Sequence, residues 1–182
     1  MTDDQPPADT PTPDPRVGFP DRTLVGVLAQ RRKLDNPWAS HAWAPSAVVT
    51  APLPLQPWTR LAGDERVETF YAGTSELRLY PGETAHYRDN LVSGRPSLWV
   101  SLRPVGVDDQ ELGTVTADPY EGESMVENMG NTVEAVPMPA EIALWVEAFI
   151  AAFHVERPFF KRQRDRVDPN QLGHRRRTGE ER

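Results

Sequence analysis

A mainly β (α+β) domain is predicted: an antiparallel barrel or sandwich of about seven or eight short strands, closed by one amphipathic C-terminal helix. Three observations carry this. In Glu76-Leu77-Arg78-Leu79-Tyr80 and Leu98-Trp99-Val100-Ser101-Leu102-Arg103, apolar residues recur with period two, so one face of each strand has side chains to bury. Ala72-Gly73, Pro81-Gly82, Ser93-Gly94 and Asp108-Asp109 punctuate the middle of the chain at intervals too short for a crossover helix, so neighbouring strands should run antiparallel. Within 140–154, Ile142, Trp145, Val146, Phe149, Ile150 and Phe153 recur at three- and four-residue steps, the apolar stripe of a helix that must pack on the sheet.

Taken in order, residues 1–22 interleave six prolines with Asp and Thr, and only Val17 and Phe19 offer bulk to bury, which predicts a disordered leader. A single domain, 23–166, should follow. From Leu24 to Ala29 both strand faces are apolar, as in a strand covered on two sides, and Arg31 ends the buried portion. Asp35-Asn36-Pro37 is a turn signal, and a second strand is expected over 46–50. Pro52, Pro54 and Pro57 make 51–58 an extended connector, because proline cannot donate to a ladder. Strands are then expected at 67–71, 76–80, 85–88, 97–103, 112–117 and 132–136. Asp118-Pro119-Tyr120-Glu121 reads as a helix start, with Asp118 as the N-cap, and Gly122 should keep that helix short. Phe159 and Phe160 still offer surface to bury, and 167–182 is expected to be a disordered polar tail.

Composition excludes several chemistries. The chain has no cysteine, so disulfides, thiolate metal sites and sulfur transfer through a persulfide are ruled out. Neither Gly-x-Gly-x-x-Gly nor a Walker-type loop occurs, which argues against nucleotide transfer, and no Gly-x-Ser-x-Gly elbow supplies a nucleophile. His41, His86 and His154 stand at no three- or four-residue spacing from one another, no Glu-x-x-His pattern is expected, and His174 belongs to the tail, so no metal site is expected. The net charge of −7 conceals nine basic against four acidic residues in 157–182; an acidic body with a basic tail is a poor nucleic-acid binder. The N-terminus carries no signal-like apolar run and no span is long enough for a membrane helix, which predicts a cytoplasmic protein.

One stretch adjoins cations and aromatic rings within the expected domain: Arg31, Arg32 and Lys33, followed by Trp38, His41 and Trp43. The cations could receive an acidic partner or simply be solvated at a strand end. The rings could line a pocket around His41 or cap the end of a sheet. These six residues are the candidate partner-binding site; no catalytic residue is assigned.

Several runs together resemble an uncharacterised bacterial family usually encoded beside molybdenum-dependent formate dehydrogenase and its accessory genes. They are Arg31-Arg32 with Pro37-Trp38, Trp43 and Pro45; Tyr71-Ala72-Gly73; Glu83-Thr84 with Tyr87, Asn90 and Leu91; Pro96-Ser97-Leu98-Trp99-Val100; Val115-Thr116-Ala117 with Pro119-Tyr120-Glu121; Val136-Pro137-Met138-Pro139; and Lys161-Arg162. The resemblance implies a small accessory factor for assembly, maturation or regulation of a molybdoenzyme, acting by binding a formate dehydrogenase subunit or accessory protein. The competing reading is a small ligand-binding barrel or enzyme that uses the Trp38/His41/Trp43 region and contacts molybdenum cofactor.

Overall fold

Among the described residues of the computed structural model, 16–37, 39–106, 109–127 and 130–155, seven strands form two antiparallel sheets accompanied by three helices. The first sheet holds β1 (Arg22–Lys33), β2 (His41–Val49), β3 (Thr59–Gly63) and β4 (Val67–Arg78) in the order β2-β1-β4-β3. The second holds β5 (Ser97–Val105), β6 (Asp109–Thr116) and β7 (Thr132–Pro137) in the order β6-β5-β7. The sheets meet where β2 lies against β7 and β4 against β6. They do not close into a barrel, and the arrangement is a sandwich-like α+β fold. The helices are α1 (Thr84–Val92), α2 (Pro119–Glu127) and α3 (Ala140–Phe153), none long and apolar enough to cross a membrane.

The alternating pattern does what period two requires. Val25, Val27 and Ala29 of β1 and Leu98, Val100 and Leu102 of β5 are wholly buried and join Val146 and Phe149 of α3 in one core. The other face of β1 departs from expectation. Leu24 is 54 % exposed, and the cover begins only at Gly26, where an added Cβ would come within 2.7 Å of Val49 and 3.1 Å of the Tyr71 ring. The proline-rich connector supplies part of that cover: the Leu53 N–H donates to the Tyr71 hydroxyl at 3.2 Å.

Three other elements differ from the sequence reading. Ala72-Gly73 is not a turn; it is a bulge inside the single strand β4, where β1 pairs Leu28 with Tyr71 and Val27 with Gly73 and leaves Ala72 unopposed. Gly73 sits at φ 135, which a residue with a side chain rarely adopts. The expected strand at 85–88 is part of α1. Its buried face consists of Thr84, Tyr87 and Asn90, a three-residue spacing, and two of those three are polar, so an apolar pattern cannot register it. β3 follows the connector where no strand is expected. It is a short edge strand with exposed Arg60, Leu61 and Ala62, which carries little of the burial that marks a strand in sequence.

α3 matches its stripe, with Ile142, Val146 and Phe149 buried. Within the expected leader, described residues from 16 onward lie on this helix: the Phe19 ring meets Phe149 and Phe153 edge-on at 5.8 and 5.9 Å, and the Trp145 indole N–H donates to the Pro20 carbonyl at 3.0 Å. Residues 1–15, Phe159, Phe160 and the expected tail 167–182 lie outside the described residues.

Candidate functional site

The predicted partner-binding residues other than Trp38 fall at the end of the first sheet, and strand geometry divides them. Directly opposed antiparallel residues share a face, and β1 pairs Arg31 with Trp43 and Lys33 with His41, so these four project to one side. Arg32 stands between them and projects to the other. Trp38 lies outside the described residues. Arg31 is committed to its neighbours. Its guanidinium lies 5.5 Å from the Trp43 ring and 5.3 Å from the Phe70 ring, and its Nε and Nη2 donate to Glu68 at 3.0 and 2.5 Å. Arg60 adds a 2.7 Å bond to the other Glu68 oxygen, and these hydrogen bonds, from Arg31 first, hold the Glu68 carboxyl below its usual range. Trp58 completes the cluster edge-on to Trp43 at 5.3 Å. His41 is paired locally with the Ser40 hydroxyl at 2.9 Å.

A second constellation, absent from the sequence reading, lies where α1 meets α2. The His86 Nδ1 stands 2.9 Å from Glu83 Oε2 and 2.9 Å from Asp118 Oδ2, and these three ligand atoms all lie within 4.8 Å of one another, a spacing that a cation could bridge. Glu83 and His86 are brought together by the first turn of α1, three residues apart. Asp118 arrives as the expected N-cap: its Oδ1 accepts the Tyr120 N–H at 2.9 Å, which leaves Oδ2 for His86. Thr116 fixes the cap in turn, accepting the Asp118 N–H at 3.1 Å while its hydroxyl donates to Glu121 at 2.6 Å. Glu121 therefore reaches the Thr116 hydroxyl rather than closing a capping box on Asp118.

The Tyr120 ring lies 4.4 Å from that of His86 and also lines an adjoining cleft of about 330 Å³, with Asp89, Asn90, Arg95, Trp99 and Glu123 around it. Gly122 shapes this cleft. A Cβ there would stand 2.1 Å from the Trp99 indole, so glycine lets α2 close on β5 instead of merely shortening the helix. α2 runs on to Glu127.

The Asp118 hydrogen bond, then the charges of Asp118, Glu83 and Asp89, raise the His86 pKa above its ordinary 6.5, against desolvation that pulls it down. A raised folded-state value means that the imidazolium stabilises the fold fully below about pH 6.5 and that this contribution is lost as pH rises through the higher folded value. With a chelator present, the stability difference between the wild type and His86→Gln should be largest near pH 5.5 and should shrink towards pH 8.5. Urea denaturation midpoints for both proteins across that range measure it, and a difference that is flat or grows with pH would contradict the assignment.

One local signal for this cluster was available in the chain. Contrary to the expectation that the chain holds no Glu-x-x-His pattern, Glu83-Thr84-Ala85-His86 has that spacing. Asp118 is 32 residues from His86 and no sequence pattern joins them.

Residues 24–164 match a family model described as "Protein of unknown function (DUF3305)". No curated protein and no solved structure matches the chain.

Proposed function

The chain belongs to the DUF3305 family of unknown function, and from that premise we propose that it is a non-enzymatic accessory factor that acts by binding another protein during the assembly, maturation or regulation of a molybdoenzyme. The resemblance of its motifs is what supports a formate dehydrogenase subunit or accessory protein as the proposed partner, with the cytoplasm as the proposed setting. The supporting observation is Trp58. It sits at φ 63, a left-handed conformation that costs a bulky residue about 1–3 kcal/mol, and it holds an indole against Trp43 beside the clamped Arg31. Rigid tryptophans with arginine are the side chains that dominate binding energies at protein interfaces. Exposed Lys33, on the same face of the strand end as Trp43, suits an acidic segment laid across it.

The test is the affinity of the full chain for purified formate dehydrogenase subunits. Trp58→Ala should weaken binding about 30-fold or more, as expected for an interfacial anchor worth about 2 kcal/mol. Lys33→Ala should weaken it less and flatten its dependence on salt. Absence of binding, or an unchanged Kd for a folded Trp58→Ala, overturns the proposal.

A further inference from the structure

We propose that Glu83, His86 and Asp118 form a binding site for a divalent transition-metal ion at the junction of α1 and α2, independent of the sheet-end surface. Two carboxylate oxygens converge on one imidazole nitrogen, each at 2.9 Å. The single Nδ1 proton must be shared between two anions, whereas a dication with a neutral imidazole would balance both charges at once. The spacing fits as well: ligands bonded at about 2.0–2.1 Å and at right angles around an ion stand roughly 2.9 Å apart, and a tetrahedral pair stands about 3.3–3.4 Å apart.

The ligands are also oriented from outside. Asp118 is 7 % exposed, its second oxygen is occupied by the Tyr120 N–H, and its own N–H is tied to Thr116, so Oδ2 is aimed at the cluster before any ion arrives. Three protein ligands leave coordination positions open for water or a bound small molecule. The nitrogen ligand favours zinc or a neighbouring transition ion over magnesium, which prefers oxygen and keeps its waters.

Titration calorimetry of the full chain with ZnCl2, and separately with MgCl2, tests this in a buffer that does not chelate. Zinc should bind saturably, about one ion per chain, and at least about tenfold more tightly than magnesium. His86→Ala and Glu83→Gln should each weaken zinc about 10–100-fold, whereas His41→Ala should not. Glu83→Gln spares the Asp118 cap, so it remains informative if other variants unfold. Cobalt(II) loaded in place of zinc should give a visible absorption band that His86→Ala abolishes. No saturable zinc binding up to millimolar concentration, or equal zinc affinity in the wild type, His86→Ala and Glu83→Gln, would show that the cluster is only an ion-paired clasp between two helices.

Discussion

Phe149→Ala should lower stability by about 3–5 kcal/mol, a large part of the 5–15 kcal/mol that holds a domain of this size together. Phe149 is fully buried, and its ring meets Phe19 at 5.8 Å, Phe153 at 4.5 Å and Tyr87 at 6.3 Å. It is therefore the point where the N-terminal segment, α1 and α3 are packed onto one another. Truncation removes the buried ring and leaves a cavity whose walls cannot fully collapse, since Tyr87 is itself tied down, its hydroxyl accepting the Tyr80 N–H at 3.0 Å. Burial also pushes the Tyr87 phenol up to about 12, so it stays neutral and packed at any ordinary pH. Trp145, on the same apolar stripe, is a weaker test. It is only half-buried, and its indole also serves the Pro20 carbonyl at the margin, so Trp145→Ala should cost less than Phe149→Ala. Denaturation midpoints of the two variants measure the ranking. An unchanged midpoint for Phe149→Ala would mean that α3 is not docked by this ring.

The contrast between α3 and α1 shows what was legible. α3 buries apolar side chains at helical spacing, and its pattern can be read from the letters alone. α1 buries Thr84 and Asn90, whose partners are fixed only once the chain has folded, so the same spacing carries no apolar signal. Bulges are hidden in a similar way. Ala72-Gly73 has the composition of a turn, and only pairing with β1 makes it an irregularity in a continuous strand. At the sheet end, the run of Arg31, Arg32 and Lys33 was visible, but the commitment of Arg31 to Glu68 was not, because that carboxylate is 37 residues away. The α1/α2 cluster was half legible: Glu83 and His86 form a local spacing, and Asp118 was correctly read as a cap, yet nothing in the chain says that the cap's free oxygen faces the histidine.

Asn90→Ala should be the most damaging substitution of a polar residue on α1, at about 2–4 kcal/mol, because one side chain serves three backbone groups. Its Nδ2 donates to the Ser97 and Ala117 carbonyls, each at 2.8 Å, and its Oδ1 accepts the Ser97 N–H at 3.0 Å. The residue is 4 % exposed, so water cannot readily replace it. These bonds tie α1 to the start of β5 and to the segment that leads into α2, and so they fix the walls of the cleft and the approach of Asp118 to His86. Asn90→Asp separates hydrogen bonding from shape: the volume is kept and the bond from Ser97 N–H survives, but both donors to the carbonyls become a charged oxygen facing them. If the bonds are what count, Asn90→Asp at neutral pH should be nearly as destabilised as Asn90→Ala and should recover part of the loss in acid, where the protonated carboxyl regains one donor. Stability by urea denaturation at neutral and mildly acidic pH decides it. An Asn90→Asp protein as stable as the wild type at neutral pH would show that this side chain fills space at the junction without holding it together.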